Sequence, residues 1–220
     1  RDLGQNIGAF NQGYSRNVSV TPGRSFAGVT KDYGFSGQID YDLGGATLTS
    51  ITGSRDWQAI NGLDYDFSMA DILYRNPDED ESFTGFKTFS QEFRLTGATD
   101  KLDWMVGAFY SDEDLNRTET YRIGPHYEPY LSIALLSIIN PALGQSSTAP
   151  LFLSQASGRP YGTVFAGLGA LDHYKQNAKS TALFTNNTWH ATDALDLTLG
   201  LRYTREKKEL TSSYSNPNGK

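Results

Sequence analysis

The stretch Leu195-Asp196-Leu197-Thr198-Leu199-Gly200-Leu201-Arg202-Tyr203-Thr204-Arg205-Glu206 decides the fold. Leu195, Leu197, Leu199, Leu201 and Tyr203 alternate with Asp196, Thr198, Gly200, Arg202, Thr204 and Glu206. Successive side chains of a strand point to opposite faces, so this segment has one apolar face and one wet face. Leu102, Trp104, Val106, Ala108 and Tyr110 repeat the pattern, as do Phe89, Gln91, Phe93 and Leu95. So do Phe35, Gly37, Ile39, Tyr41 and Leu43. The segments 46–60 and 180–189 alternate poorly and are read as strands from their neighbours.

Turn formers join these runs in pairs. Gly44-Gly45 is a tight-hairpin dipeptide, while Gly97-Ala98-Thr99-Asp100 and Ala191-Thr192-Asp193 are short polar breaks. The chain therefore reads as three hairpins: 33–43 with 46–60, 84–96 with 101–118, and 176–190 with 194–212. The connections at the other end are long. Residues 61–82 hold the acidic run Asp78-Glu79-Asp80-Glu81, and residues 122–174 hold Pro125, Pro129, Pro141, Pro150 and Pro160. Within the second loop, Tyr130 to Leu143 suits a short amphipathic helix stopped by Pro141. Residues 1–32 lack apolar periodicity and read as a loop or a frayed strand; residues 213–220 read as the start of a loop.

Short turns on one side, long loops on the other and strands past the ~9–11 residues of a bilayer crossing describe an outer-membrane β-barrel. Tyr41, Trp104 and Trp189 lie beside the turns, with Tyr110 and Tyr203 roughly 15–20 Å along the apolar faces, as an aromatic girdle requires. The composition agrees. Among 220 residues there are 22 Gly, 13 Tyr, 12 Phe and 3 Trp, and the mean hydropathy is −0.48. The expected class is all-β: an antiparallel transmembrane β-barrel segment of about six strands. The competing reading is a soluble antiparallel sheet with one buried face.

Composition also excludes. The net charge of −6 lacks the basic stripe of a nucleic-acid binder. The absence of cysteine removes disulfides, thiolate-bound zinc and a thiol nucleophile. His126, His173 and His190 have no ligand spacing, and the acidic run lacks the central Gly of a calcium loop. No catalytic residue, cofactor site or metal site is expected, and the chain is not expected to be an enzyme. Arg1 and the loop-like end Asn216-Pro217-Asn218-Gly219-Lys220 suggest a piece of a longer chain.

Three stretches resemble the barrel of TonB-dependent outer-membrane receptors: YDLGGATLTSITGSRDW (41–57), SQEFRLTGATDKLDWMVGAFYSDED (90–114) and ALFTNNTWHATDALDLTLGLRYTREKK (182–208). They sit on the three hairpins, and the resemblance covers most of 33–212. It implies a barrel of about 22 strands closed around an N-terminal plug, in the bacterial outer membrane. It implies active uptake of a scarce nutrient, such as a ferric siderophore, powered by the TonB complex through a segment ahead of the plug. The expected partners are outer-membrane lipid, that complex and the small-molecule substrate, with no nucleic acid. The chain shows no plug, no TonB box and no terminal strand ending in an aromatic residue. Six strands alone would leave two unpaired edges.

Substrate contacts are expected in the long loops, where Tyr65, Phe67, Tyr74, Arg75, Tyr121, Arg122, His126, Tyr127, Tyr161 and Phe165 offer aromatic and polar groups; none is singled out as a ligand. Glu92, Arg94, Asp103, Asp196, Arg202 and Glu206 are expected on wet strand faces, hydrating and pairing across a lumen. A passive channel and a soluble β-sandwich binding module remain as alternatives.

Overall fold

Gly44, at φ +84°, takes the first central position of a two-residue hairpin loop. Leu43 N–H donates to the Ala46 carbonyl at 2.8 Å across it. That loop joins β1 (Gly28–Asp42) to β2 (Ala46–Asn61). Two equally short turns join β5 (Phe83–Thr99) to β6 (Leu102–Ile123) and β7 (Gly169–Thr192) to β8 (Leu195–Ser215). The computed structural model describes residues 19–216.

The six long strands form one antiparallel sheet in the order β1-β2-β5-β6-β7-β8. Two short strands, β3 (Leu63–Asp64) and β4 (Leu73–Arg75), join it through β6 at the loop end. Among the described residues β1 and β8 each pair on one side only, so the sheet is open. The class is all-β and antiparallel, as expected.

The strands overrun the bounds read from the sequence. Residues 28–32 belong to β1 rather than to an N-terminal loop, and 213–215 belong to β8 rather than to a terminal one. At the turns, Gly97, Ala98 and Thr99 stay in the ladder opposite Trp104, Asp103 and Leu102. The reason is physical: alternation ends where both faces are polar, but backbone pairing does not need it. Residues 1–18 and 217–220, parts of the two terminal segments, lie outside the described residues.

The register puts Phe35, Ile39 and Tyr41 on one face with Leu48, Phe89, Phe93, Leu95, Trp104, Val106, Tyr110, Leu183 and Trp189. The odd residues from Leu197 to Tyr203 continue that face on β8. Together they form a continuous apolar band that no described part of the chain covers: Leu195 to Tyr203 on this face are 49–71% exposed. β2 and β7 alternate poorly because their band-facing positions include Ser50, Thr52, Thr185 and Asn187. These polar groups bond to neighbours: Thr52 Oγ1 donates to Gln91 Oε1 at 2.6 Å, and Thr185 Oγ1 to the Met105 carbonyl at 2.7 Å. Gln91 Nε2 reaches Ser50 Oγ at 3.0 Å, and Asn187 Nδ2 reaches Thr185 Oγ1 at 2.9 Å.

The band slants across the sheet. Its loop-side limit is Tyr33 on β1, Phe89 on β5, Tyr110 on β6 and Tyr203 on β8. The ladder row through Tyr33 runs Asp56, Lys87, Asp114, Asn177 and Glu209, six residues beyond Tyr203. Six residues along a strand are about 20 Å, and five strand spacings about 24 Å. The band edge is thus inclined roughly 40° to the rows.

Candidate functional site

At the loop end the two long connections and residues 19–27 pack into a cap. Asp64, 2% exposed, organises its first part. One carboxylate oxygen accepts from Thr21 N–H at 2.9 Å and Thr21 Oγ1 at 3.1 Å. The other accepts from Asp66 N–H at 3.1 Å and Phe67 N–H at 3.0 Å. A buried carboxylate needs such donors to offset lost hydration. Arg24 grips Asp71 with two bonds of 2.9 and 2.5 Å, its guanidinium 3.3 Å from the Tyr74 ring centre. Desolvation pulls the Arg24 pKa down, but the Asp71 carboxylate outweighs it and the net shift is upward. The described part of the N-terminal segment is thus docked, not frayed.

The first connection carries one short helix and the second a longer one. The acidic run forms the one-turn helix α1 (Glu79–Ser82), and Glu81 pairs with Arg122 at 2.8 Å. Beyond β6, helix α2 (Tyr127–Ile139) starts three residues earlier than expected, because Pro129 in a first turn forfeits no helical bond. It ends at Asn140, whose Oδ1 accepts from Ala142 N–H at 2.9 Å and starts the separate turn α3 (Pro141–Gly144). The helix is not amphipathic in the expected sense: it buries Glu128, Pro129 and Ser132 and leaves Ile138 and Ile139 exposed.

The ten loop residues divide. Tyr65 stacks on Tyr121 with ring centres 4.9 Å apart, and burial pushes its pKa up to about 12. Tyr74 lies under Arg24. Arg75 is buried against the Asn61 carbonyl at 3.1 Å and Glu119 at 3.2 Å. Arg122 holds Glu81, and His126 Nδ1 accepts from Asp71 N–H at 2.7 Å. Tyr127 meets Phe165 edge-on at 5.1 Å. Those eight hold the cap together. Phe67 and Tyr161 remain as exposed rings, 58% and 53% accessible. Phe67 is also the one non-glycine at positive φ, +51°, among the described residues. Strain of that kind is stored where surrounding bonds enforce it, here the Asp64 carboxylate.

Sequence reasoning missed Glu128. It is 2% exposed; one oxygen accepts from Val164 N–H at 2.9 Å, and the other has no partner among the described residues. It lines a cavity of about 200 Å³ with Ile123, Pro125, Phe165 and glycine backbone. Its only sequence signal is an acid in the first turn of an apolar helix.

On the sheet face opposite the band, the register gathers Glu92, Arg94, Asp103, Asp196, Arg202 and Glu206, as expected of wet-face residues. Arg94 pairs with Glu92, and Arg202 lies over the Phe109 and Phe184 rings at 5.6 and 5.4 Å. The three histidines are far apart in the fold: His173 meets Thr118, and His190 sits between Asp103 and Asp196.

No family model matches the chain, and no curated protein resembles it in sequence. Among solved structures, it is similar to the ferric yersiniabactin uptake receptor FyuA from Yersinia pestis. The TM-score is 0.58 at 15% identity, over 97% of this chain and 26% of that one. The likeness establishes the fold. The chain spans about a quarter of the length of that receptor.

Proposed function

We propose that this chain is part of an active transporter of the bacterial outer membrane, a TonB-dependent receptor that takes up a scarce nutrient such as a ferric siderophore. The observation that carries the membrane assignment is the slanted apolar band. Laid parallel to a bilayer, it tilts the strands roughly 40° from the membrane normal, within the ~35–45° of outer-membrane barrels. A soluble sheet would cover such a band; the described residues of this one leave it open. That no helix among the described residues is long and apolar enough to cross a membrane says nothing against it, because barrels cross with strands.

The transport assignment rests on likeness to an uptake receptor and on the cap. The loop end offers two exposed aromatic rings, Phe67 and Tyr161, on a scaffold tied by buried ion pairs. Loops held this way capture ligands without paying to order themselves. No covalent chemistry is required of the chain. Substrate binds at the loops; the rest of the protein supplies the plug, its contact with the TonB complex and the remaining strands that pair β1 and β8.

Uptake of a radiolabelled ferric siderophore by cells making the complete protein tests this. Energised cells should accumulate the label, and collapse of the inner-membrane proton gradient should abolish accumulation. Uptake indifferent to that gradient would establish a passive channel instead.

A further inference from the structure

The two buried acids of the cap are served unequally. Asp64 accepts four hydrogen bonds. Glu128, equally buried, accepts one, from Val164 N–H to Oε2 at 2.9 Å. Among the described residues, Glu128 Oε1 is the one buried carboxylate oxygen without a hydrogen-bond partner. Such an oxygen has given up its hydration and received nothing in return. Arg159 lies on the same loop as Val164, but its Nη1 donates to the Val164 carbonyl at 3.4 Å rather than to Glu128.

The same side chain lines the cavity of about 200 Å³ at the start of α2. Ile123, Pro125, Phe165 and Ala166 give that cavity carbon walls, and its glycines contribute backbone alone. A carboxylate on one wall and carbon on the others suit a singly charged cation on a short alkyl stem. At ~30 Å³ for each water-sized group, the space accommodates butylammonium. A divalent metal ion fits worse. Calcium takes ~6–8 oxygen ligands, and the described residues hold no cluster of three acidic or histidine side chains. An ammonium has N–H donors and no acceptor, so it supplies what Oε1 lacks, through a charge-assisted bond. Phe165 adds an aromatic ring, whose face attracts cations. Tyr161, one of the two exposed rings of the cap, precedes Gly162 of the cavity wall.

We propose that the Glu128 cavity is a binding site for a primary ammonium group on a short alkyl arm, and that the ligand captured at the loop end carries one. The half-used carboxylate then has a reason. Val164 N–H fixes one oxygen, and the carboxylate turns about that bond to present the other to the incoming donor. The body of the ligand rests on Tyr161, outside the cavity. The site rests on the reading of the loop end as the place of capture and adds the substrate chemistry that it selects.

The test uses the complete protein in phosphatidylcholine nanodiscs, with empty nanodiscs as the blank. Binding of butylammonium, 1-butanol and tetramethylammonium is read by saturation-transfer NMR. Butylammonium should bind at least tenfold more tightly than 1-butanol, which lacks the charge, and than tetramethylammonium, which lacks the N–H donors. Glu128→Gln keeps an acceptor for Val164 N–H and should erase the preference. Asp80→Asn, at an exposed acid of α1 outside the cavity, should leave it. If Glu128→Gln unravels the cap, as read by faster amide exchange along α2, Ala166→Leu should still weaken butylammonium binding several-fold, because Ala166 is exposed on the cavity wall. Equal binding of butylammonium and either other probe, a preference kept in the cavity variants, or one lost equally with Asp80→Asn overturns the site. The transport reading fails separately: uptake indifferent to the proton gradient removes the active transporter and leaves the ammonium site standing.

Discussion

On the sheet, Ile39, Leu199, Leu201 and Tyr203 stand 63–71% exposed, while in the cap Asp64 and Glu128 are 2% exposed. The two regions invert each other. The sheet turns its apolar side chains outward and keeps polar ones on the opposite face. The cap buries carboxylates and guanidinium groups and leaves Phe67, Tyr161, Ile138 and Ile139 outside. The difference follows from the surroundings each region is proposed to meet. A band in hydrocarbon gains nothing by hiding leucine. A loop cap in water, too thin for an apolar core, is held by hydrogen bonds and ion pairs that burial makes worth more.

The comparison breaks most sharply if charge is placed in the band. Leu199→Arg should cost ~2–4 kcal/mol of folding stability in a bilayer, whereas Thr204→Arg on the opposite face should cost little. Unfolding titrations of the complete protein in vesicles measure both, and equal costs would remove the case for a lipid-facing band. Next comes the cap. Asp64→Ala leaves four donors without their acceptor, at a local cost of about 2–3 kcal/mol. Amide exchange at Asp66 and Phe67 should accelerate while β5 and β6 stay protected; an acceleration spread evenly over the sheet would mean that cap and sheet unfold as one.

A smaller effect separates turn from strand. Gly44→Ala forces a Cβ into φ +84° and should cost about 1 kcal/mol, seen as a lower midpoint in the same titration. The smallest concerns pH. Tyr65 titrates at about 12 in the folded cap, above the ~10 of a free tyrosine. A raised folded pKa means its contribution is whole below pH ~10 and is lost as pH rises through about 12. Tyrosinate absorbance should show a fraction titrating late, and Tyr65→Phe should shrink that fraction by one residue.

The faces of β1, β5 and β8 were legible because alternation there is clean, a residue facing hydrocarbon and its neighbour facing water being chemically unlike; that of β6 was legible too, though Met105 and Phe109 blur its wet face. β2 and β7 were not, because on the band face Thr52 bonds to Gln91 and Thr185 to the Met105 carbonyl, and those pairs exist only across strands. The helix start at Tyr127 was obscured by Pro129, which is harmless only in a first turn. Of the candidate binding residues, the sequence named Phe67 and Tyr161 together with eight that proved internal. A tyrosine that stacks on another strand's tyrosine and one that faces solvent look identical in one dimension. Glu128 was invisible for the same reason.

The strands, their short turns and the apolar side of four of them are written in the residues, since period-two chemistry is local. The slant of the band, the opposition of Lys179 to Lys207 and the burial of Asp64, Arg75 and Glu128 arise from the folded chain. Those depend on ladder register and on contacts between segments tens of residues apart, and no local pattern encodes a register.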